Sequence, residues 1–341
     1  MNFSSDNAAG IAPQIMAALA AANEGYAMAY GDDPITKAAE AAFTDLFERE
    51  LAVFPVATGT AANALALSAL TPPWGQIYCH RNAHIEEDEA GAPELFSGGA
   101  KLALLDGAHG RIGAETLAAA VAGAGFGVQH HPQPSAISLT QATEAGTVYQ
   151  PDEIAALAAI AHDAGLSVHM DGARFANAVA HLGCSPAEMT WKAGVDVLSF
   201  GATKNGAMAA EAVIFFDPDK AGDFLYRRKR GGHLFSKMRY LSAQLVAYLR
   251  DDLWLESARH ANACARALSE GFAALDGGEL VHEVQANEIF VSLPESVLSA
   301  LETAGVGFHR WGTDGQARFV CAFDTEMEAV ERTLKIARDA A

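Results

Sequence analysis

"PDEIAALAAIAHDAGLSVHMD", residues 151–171, sets a helix and a strand back to back. Pro151, Asp152 and Glu153 are helix-start residues, the apolar positions that follow have helical spacing, and Gly165 stops the helix. "LSVHMD" (166–171) is then a short apolar run of strand length that ends in a carboxylate. The same alternation extends in both directions. "LAVFPVATG" (51–59), "GQIYCH" (75–80), "KLALLD" (101–106), "SAISLT" (135–140), "VDVLSFG" (195–201) and "EAVIFF" (211–216) read as further buried strands. "AANALALSAL" (61–70) and "AETLAAAVAGA" (114–124) read as helices between them. Strand and helix taken in turn predict an α/β fold, with a mostly parallel sheet and helices on both faces.

The pattern changes after residue 236. Residues 236–275 read as one long helix or two consecutive ones, and "ELVHEVQANEIFVSLP" and "ARFVCAF" (317–323) as strands, with a helix running to Ala341. The expected organisation is an N-terminal arm over 1–13, a large α/β domain over 14–250 and a smaller C-terminal α+β domain over 251–341.

Half of the 341 residues are hydrophobic and 19% are charged, a globular composition. A net charge of -19 disfavours non-specific binding to nucleic acid or to anionic membranes. Four scattered cysteines, with no Cys/His pair at zinc spacing, predict neither a metal site nor a disulfide framework. The first residues lack the charged and apolar regions of a signal peptide. A cytoplasmic location is the expectation.

Ligands of open α/β sheets bind beyond the carboxyl ends of the strands. Asp171 and Arg174 stand at one such end, Thr203 and Lys204 at another. Thr58, Gly59, Thr60 and Ala61 form a small-residue loop running into a helix, which can cradle a phosphate or simply cap the helix. Asp171 can equally cap a helix or pair with Arg174. Lys204, buried without a carboxylate partner, would favour the neutral amine that Schiff-base chemistry requires, while on an exposed loop it would be an ordinary surface lysine. Taken together, a lysine, an aspartate and a phosphate loop suit pyridoxal 5'-phosphate: the lysine holds its aldehyde, the aspartate its pyridinium N–H and the loop its phosphate.

With those residues in place, the chain resembles the threonine aldolases, in the β-eliminating lyase group of fold-type I pyridoxal-phosphate enzymes. The resemblance rests on "FSSDNAAG", "YAMAYGDDP" (26–34), "ATGTAAN" (57–63), "HIEEDEAGA" (84–92), "HMDGARFANA" (169–178), "SFGATKNG" (199–206), "RRKRGGHLFSKMR" (227–239) and "ARFVCAFDT" (317–325). It implies Lys204 as the Schiff-base lysine, Asp171 as the partner of the pyridine nitrogen, and Gly59, Thr60 and Thr203 as cofactor contacts. It implies His84 as a ring stacked on the cofactor and a candidate base. Arg174, Ser5 and Arg318 would hold the substrate carboxylate. Tyr30 would reach across a subunit interface, and the basic cluster including Arg228, with Arg239, would reach a neighbour's phosphate; the cluster can also be a solvated charged turn.

The implied reaction cleaves L-threonine, L-allo-threonine or a related β-hydroxy-α-amino acid to glycine and an aldehyde, in a homotetramer with shared active sites. β-Elimination, cleavage of another substrate such as phenylserine, and a non-catalytic cofactor-binding relative are the competing readings. One departure stands out. Where many family members carry "ENTH" with a second active-site histidine, this chain reads Thr140, Gln141, Ala142, Thr143, Glu144. Thr143 and Glu144 are the candidates to take that histidine's place.

Overall fold

The structure, a computed structural model, describes residues 1–312 and 315–341. Seven strands make the main sheet: β1 (Ala52–Val56), β2 (Gly75–His80), β3 (Lys101–Leu105), β4 (Gln133–Thr140), β5 (Ser167–Gly172), β6 (Val197–Gly201) and β7 (Glu211–Phe215). They lie in the order β1-β7-β6-β5-β4-β2-β3. Strands β3, β2, β4, β5 and β6 pair in parallel, while β7 runs antiparallel to both β6 and β1. The reversal has a local cause. Residues 202–210 are too few for a crossover, since a parallel return needs about a dozen residues or more.

The strands read as continuous apolar runs because both faces are covered; β6 and β7 are buried throughout. On one face Phe43, Phe47, Phe175, Phe200 and Trp254 share a core, with the Phe43 and Phe200 rings edge to face at 5.1 Å. Phe54, Leu65, Phe215 and Phe224 pack on the other face.

The 236–275 stretch forms two helices, Arg239–Leu249 and Leu253–Ala273. Asp251 and Asp252 break them apart with positive φ of 53° and 56°. The second helix serves two cores. Trp254 and Ala258 belong to the large one, whereas Leu268 and Phe272 pack under a second, antiparallel sheet. That sheet holds β8 (Glu279–Leu280), β9 (Glu288–Ser292), β10 (His309–Arg310) and β11 (Gln316–Val320) in the order β10-β11-β9-β8.

Residues 1–13, read from sequence as an arm, begin inside this smaller unit. Phe3 is buried in its core against Phe319, ring centroids 6.4 Å apart, and its N–H donates to the Gly307 carbonyl at 2.7 Å. Three residues later the chain reaches the carboxyl ends of the main sheet, where Asp6 meets Arg174. Among the described residues no helix is long and apolar enough to cross a membrane.

Candidate active site

The ends of β5 and β6 approach each other closely. A Cβ on Gly201 would lie 2.6 Å from the Ala173 carbonyl oxygen and 2.7 Å from its Cα, so only glycine lets the two strand ends meet. Asp171 closes β5 and is buried. Its Oδ1 accepts from the Ala173 N–H at 3.0 Å and its Oδ2 from the Asn63 side-chain amide at 2.7 Å. Arg174 does not pair with it, contrary to the simplest reading of their spacing.

Asn63 extends the network. The same amide nitrogen donates to Glu89 Oε1 at 2.9 Å, and that oxygen lies 2.9 Å from His84 Nδ1. Hydrogen bonding to Glu89 raises the His84 pKa, while burial raises that of Glu89. The pairing assigns the ring proton to Nδ1 and leaves Nε2 as the open position. Neither Asn63 nor Glu89 was singled out from sequence. The signal for Asn63 was one amide inside an otherwise apolar helix.

That helix, Gly59–Leu70, offers its N-terminus to the same place. Thr58 caps it, accepting the Ala61 N–H on Oγ1 at 3.2 Å and the Ala62 N–H on its carbonyl at 3.0 Å. The cap does not close the helix end off, because Thr58, Gly59 and Thr60 all line a cavity of about 420 Å³. A Cβ on Gly59 would meet nothing within 4 Å.

Lys204 sits in the short turn Thr203–Asn205 after β6 and is half-buried rather than buried. Thr203 steadies the turn by accepting the Ala210 N–H at 3.2 Å. Glu211, the next charged residue in sequence, is occupied with the Ala202 N–H at 3.0 Å, and burial pushes its carboxyl up to about 7.

A second cavity of about 480 Å³ adjoins the first, with Ser5, Phe290, Trp311 and Arg318 on its walls. Asn7, His84, Glu144, Arg174 and Lys204 line both. Glu144 Oε1 accepts from the His84 N–H at 2.8 Å and from the Thr140 hydroxyl at 2.9 Å. Burial, then the charge of Asp171, pushes its carboxyl up to about 7. Of the two residues expected to take the place of a second histidine, Glu144 faces the cavities, whereas Thr143 spends its hydroxyl on Thr147 at 2.8 Å. Arg174 is held by Asp6 through Nε at 2.8 Å and Nη2 at 3.0 Å, and its Nη1 lies 3.0 Å from Glu288. Glu288 also accepts from Arg318 at 2.5 Å.

Three residues expected to reach a neighbouring subunit's site lie away from this chain's own cavities. The Tyr30 ring sits 5.1 Å from the Lys229 ammonium. Arg228 lies over Phe54 at 5.2 Å, its pKa lowered to about 10 by burial, and Arg239 donates to the Gly25 carbonyl at 3.2 Å. None of the three lines either cavity. Around them Tyr26, Met28 and Tyr226 are fully or largely exposed.

The first cavity carries what pyridoxal phosphate would need. A lysine amine reaches it, a buried carboxylate oriented by an amide lines it, and a helix N-terminus bare of side chain at Gly59 opens onto it.

Comparison with known proteins agrees with this arrangement. The family model described as beta-eliminating lyase matches residues 2–296. A low specificity L-threonine aldolase of Pseudomonas aeruginosa is 49% identical over 339 residues, covering 99% of this chain and 96% of that one. One from Pseudomonas sp. is 48% identical over 326 residues, covering 95% and 93%. The solved threonine aldolase of Leishmania major superposes with a TM-score of 0.92 at 25% identity, over 99% of this chain and 98% of that chain. A match to one family over most of the length, with two relatives near half identity, leads to one conclusion: the chain belongs to the beta-eliminating lyase family.

Proposed function

We propose that this chain is a pyridoxal-phosphate-dependent aldolase that cleaves L-threonine, L-allo-threonine or a related β-hydroxy-α-amino acid to glycine and an aldehyde. The observation that carries the reading is the wall shared by the two cavities. Lys204, His84 and Arg174 all stand on it, between the cavity that holds Asp171 and Gly59 and the cavity that holds Ser5 and Arg318. The activity of the relatives supports the same class of reaction.

When bound, pyridoxal phosphate supplies the electron sink that stabilises negative charge at Cα as the Cα–Cβ bond breaks. The chain's own residues do the rest. The Lys204 amine would hold the cofactor covalently, and Asp171, fixed by Asn63, would hold a proton at its ring nitrogen. Gly59 and Thr60 hold the phosphate at the helix N-terminus, with Thr203 beside the attachment point. Arg174 and Arg318, with Ser5, would orient the substrate carboxylate and so decide which Cα bond is placed to break. His84 takes the β-hydroxyl proton at Nε2, while Glu89 stabilises the imidazolium that forms.

Tyr30, Arg228 and Arg239 belong, in this proposal, to the active site of a neighbouring copy in a homotetramer. Residues 14–250 supply the cofactor contacts and 251–341 supply Arg318. We place the enzyme in the cytoplasm.

The test is borohydride reduction of the protein with pyridoxal phosphate, followed by peptide mass analysis, alongside glycine and acetaldehyde detection from L-threonine. Cofactor fixed at Lys204 and absent from Lys204→Ala, with both products in equal amounts, is the expected result. 2-Oxobutanoate and ammonia would replace the aldolase with an eliminating enzyme, and no fixed cofactor would overturn the proposal.

A further inference from the structure

The two arginines that would receive the substrate carboxylate are already holding a carboxylate, and it belongs to the chain. Glu288 opens β9, is 2% exposed, and stands between them. Its Oε2 lies 3.0 Å from Arg174 Nη1 and its Oε1 accepts from Arg318 Nη2 at 2.5 Å. The opposite edge of Arg174 is taken by Asp6 in a two-bond fork, and Asp6 is held in turn by the Asn287 amide at 3.1 Å. Two arginines and two buried carboxylates thus cancel in charge before any substrate arrives.

The two ends of this cluster are not equivalent. Asp6 accepts three side-chain hydrogen bonds directed at its oxygens, two from Arg174 and one from Asn287. Glu288 Oε2 has an arginine nearby but no hydrogen bond aimed at it, although it is buried. Glu288 and both arginines also line the larger cavity, whereas Asp6 does not. Glu288 is therefore the less firmly held acid and the one a ligand in that cavity meets. An incoming α-carboxylate offers the same planar pair of oxygens to the same guanidinium edges. Both cannot be accommodated without leaving one negative charge uncompensated in a buried site.

We propose that Glu288 is an internal stand-in for the substrate carboxylate, a specificity-determining residue that must yield Arg318 and the free edge of Arg174 when an amino acid binds. It keeps the two guanidinium groups compensated and in position in the empty site, at the cost of weaker substrate binding. It also raises the requirement on a ligand. A simple monocarboxylate must displace Glu288 with nothing else to hold it, whereas an amino acid is also held at its amine by the cofactor.

The inference rests on the aldolase reading, so wild-type activity is established first; if wild type forms no glycine from L-threonine, that reading fails on its own. With activity in hand, KM and kcat for L-threonine and the inhibition constant for propionate are compared in wild type, Glu288→Gln and Glu288→Asp, each checked for folding by circular dichroism. Glu288→Gln should lower KM and the propionate constant by roughly tenfold or more, with kcat within about threefold. Glu288→Asp, which keeps the charge but withdraws it by one methylene, should lower both by less. If Glu288→Gln does not fold, Glu288→Asp decides alone. A KM that rises or stays level in the folded variants would make Glu288 a brace for the arginines and overturn the proposal.

Discussion

Asn63→Ala removes one side chain and leaves two buried carboxylates without the group that separates them. Its amide nitrogen lies 2.7 Å from Asp171 and 2.9 Å from Glu89, and all three residues are at most 4% exposed. A hydrogen bond to a charged group contributes about 1.5–3 kcal/mol, so the sum for two sets an upper limit of about 6 kcal/mol. The adjoining cavity lets water reach both acids and recover part of that, which places the expected loss at about 2–3 kcal/mol. Urea unfolding of the apoprotein, followed by circular dichroism, measures it. Asn63→Asp sharpens the test by adding a third carboxylate at the same spot. It should cost more than Asn63→Ala at pH 8 and recover markedly at pH 5, where the cluster can share protons. A loss below about 0.5 kcal/mol for Asn63→Ala, or an Asn63→Asp variant equally stable at both pH values, would refute the view that this amide holds the acids apart.

Glu144 has its folded pKa raised to about 7, so the native state binds its proton more tightly than the unfolded chain does, and its contribution to stability falls as pH rises from about 4.5 through 7. Glu144→Gln should therefore gain stability relative to wild type across that window, seen as a widening gap in thermal midpoints between pH 5 and pH 8. Glu89→Gln removes the partner that raises the His84 pKa, so the acid limb of the cleavage rate should move to lower pH; an unmoved limb would separate His84 from that ionisation. Gly201→Ala drives a methyl into the Ala173 backbone and should cost about 3 kcal/mol in urea unfolding. Thr58→Ala removes the helix cap and should cost about 1 kcal/mol, measured the same way.

Much of this molecule is legible in short stretches of its chain. β2, Gly75–His80, is the stretch "GQIYCH" and nothing more. Asp171 and Lys204 stand out because charged residues at the ends of buried strands have few reasons to be there. What escapes is what depends on distance. Glu89 and Glu288 each look like surface acids in their own neighbourhoods, and only the fold brings them to the cavities. Arg174 was legible as an arginine at the right strand end, but the fork with Asp6 joins residues from opposite halves of the chain. The reversal of β7 was written in a connection length, a feature that apolar periodicity does not record.

The burial of Phe3 against Phe319 bears on how the enzyme is made. A ribosome releases Phe3 long before the strand that receives it, β11, emerges. Through most of translation the large sheet can form with Asp171 and Lys204 already in place, while the first residues wait without a seat. Asp6, three positions behind Phe3, waits with them, and Arg174 is left without the carboxylate fork that orients it. Entropy permits so long a closure, since its cost grows only with the logarithm of the loop, but its timing is imposed by the direction of synthesis. A nascent chain can thus build the strand ends that carry Asp171 and Lys204 well before β11 supplies Arg318 to the second cavity.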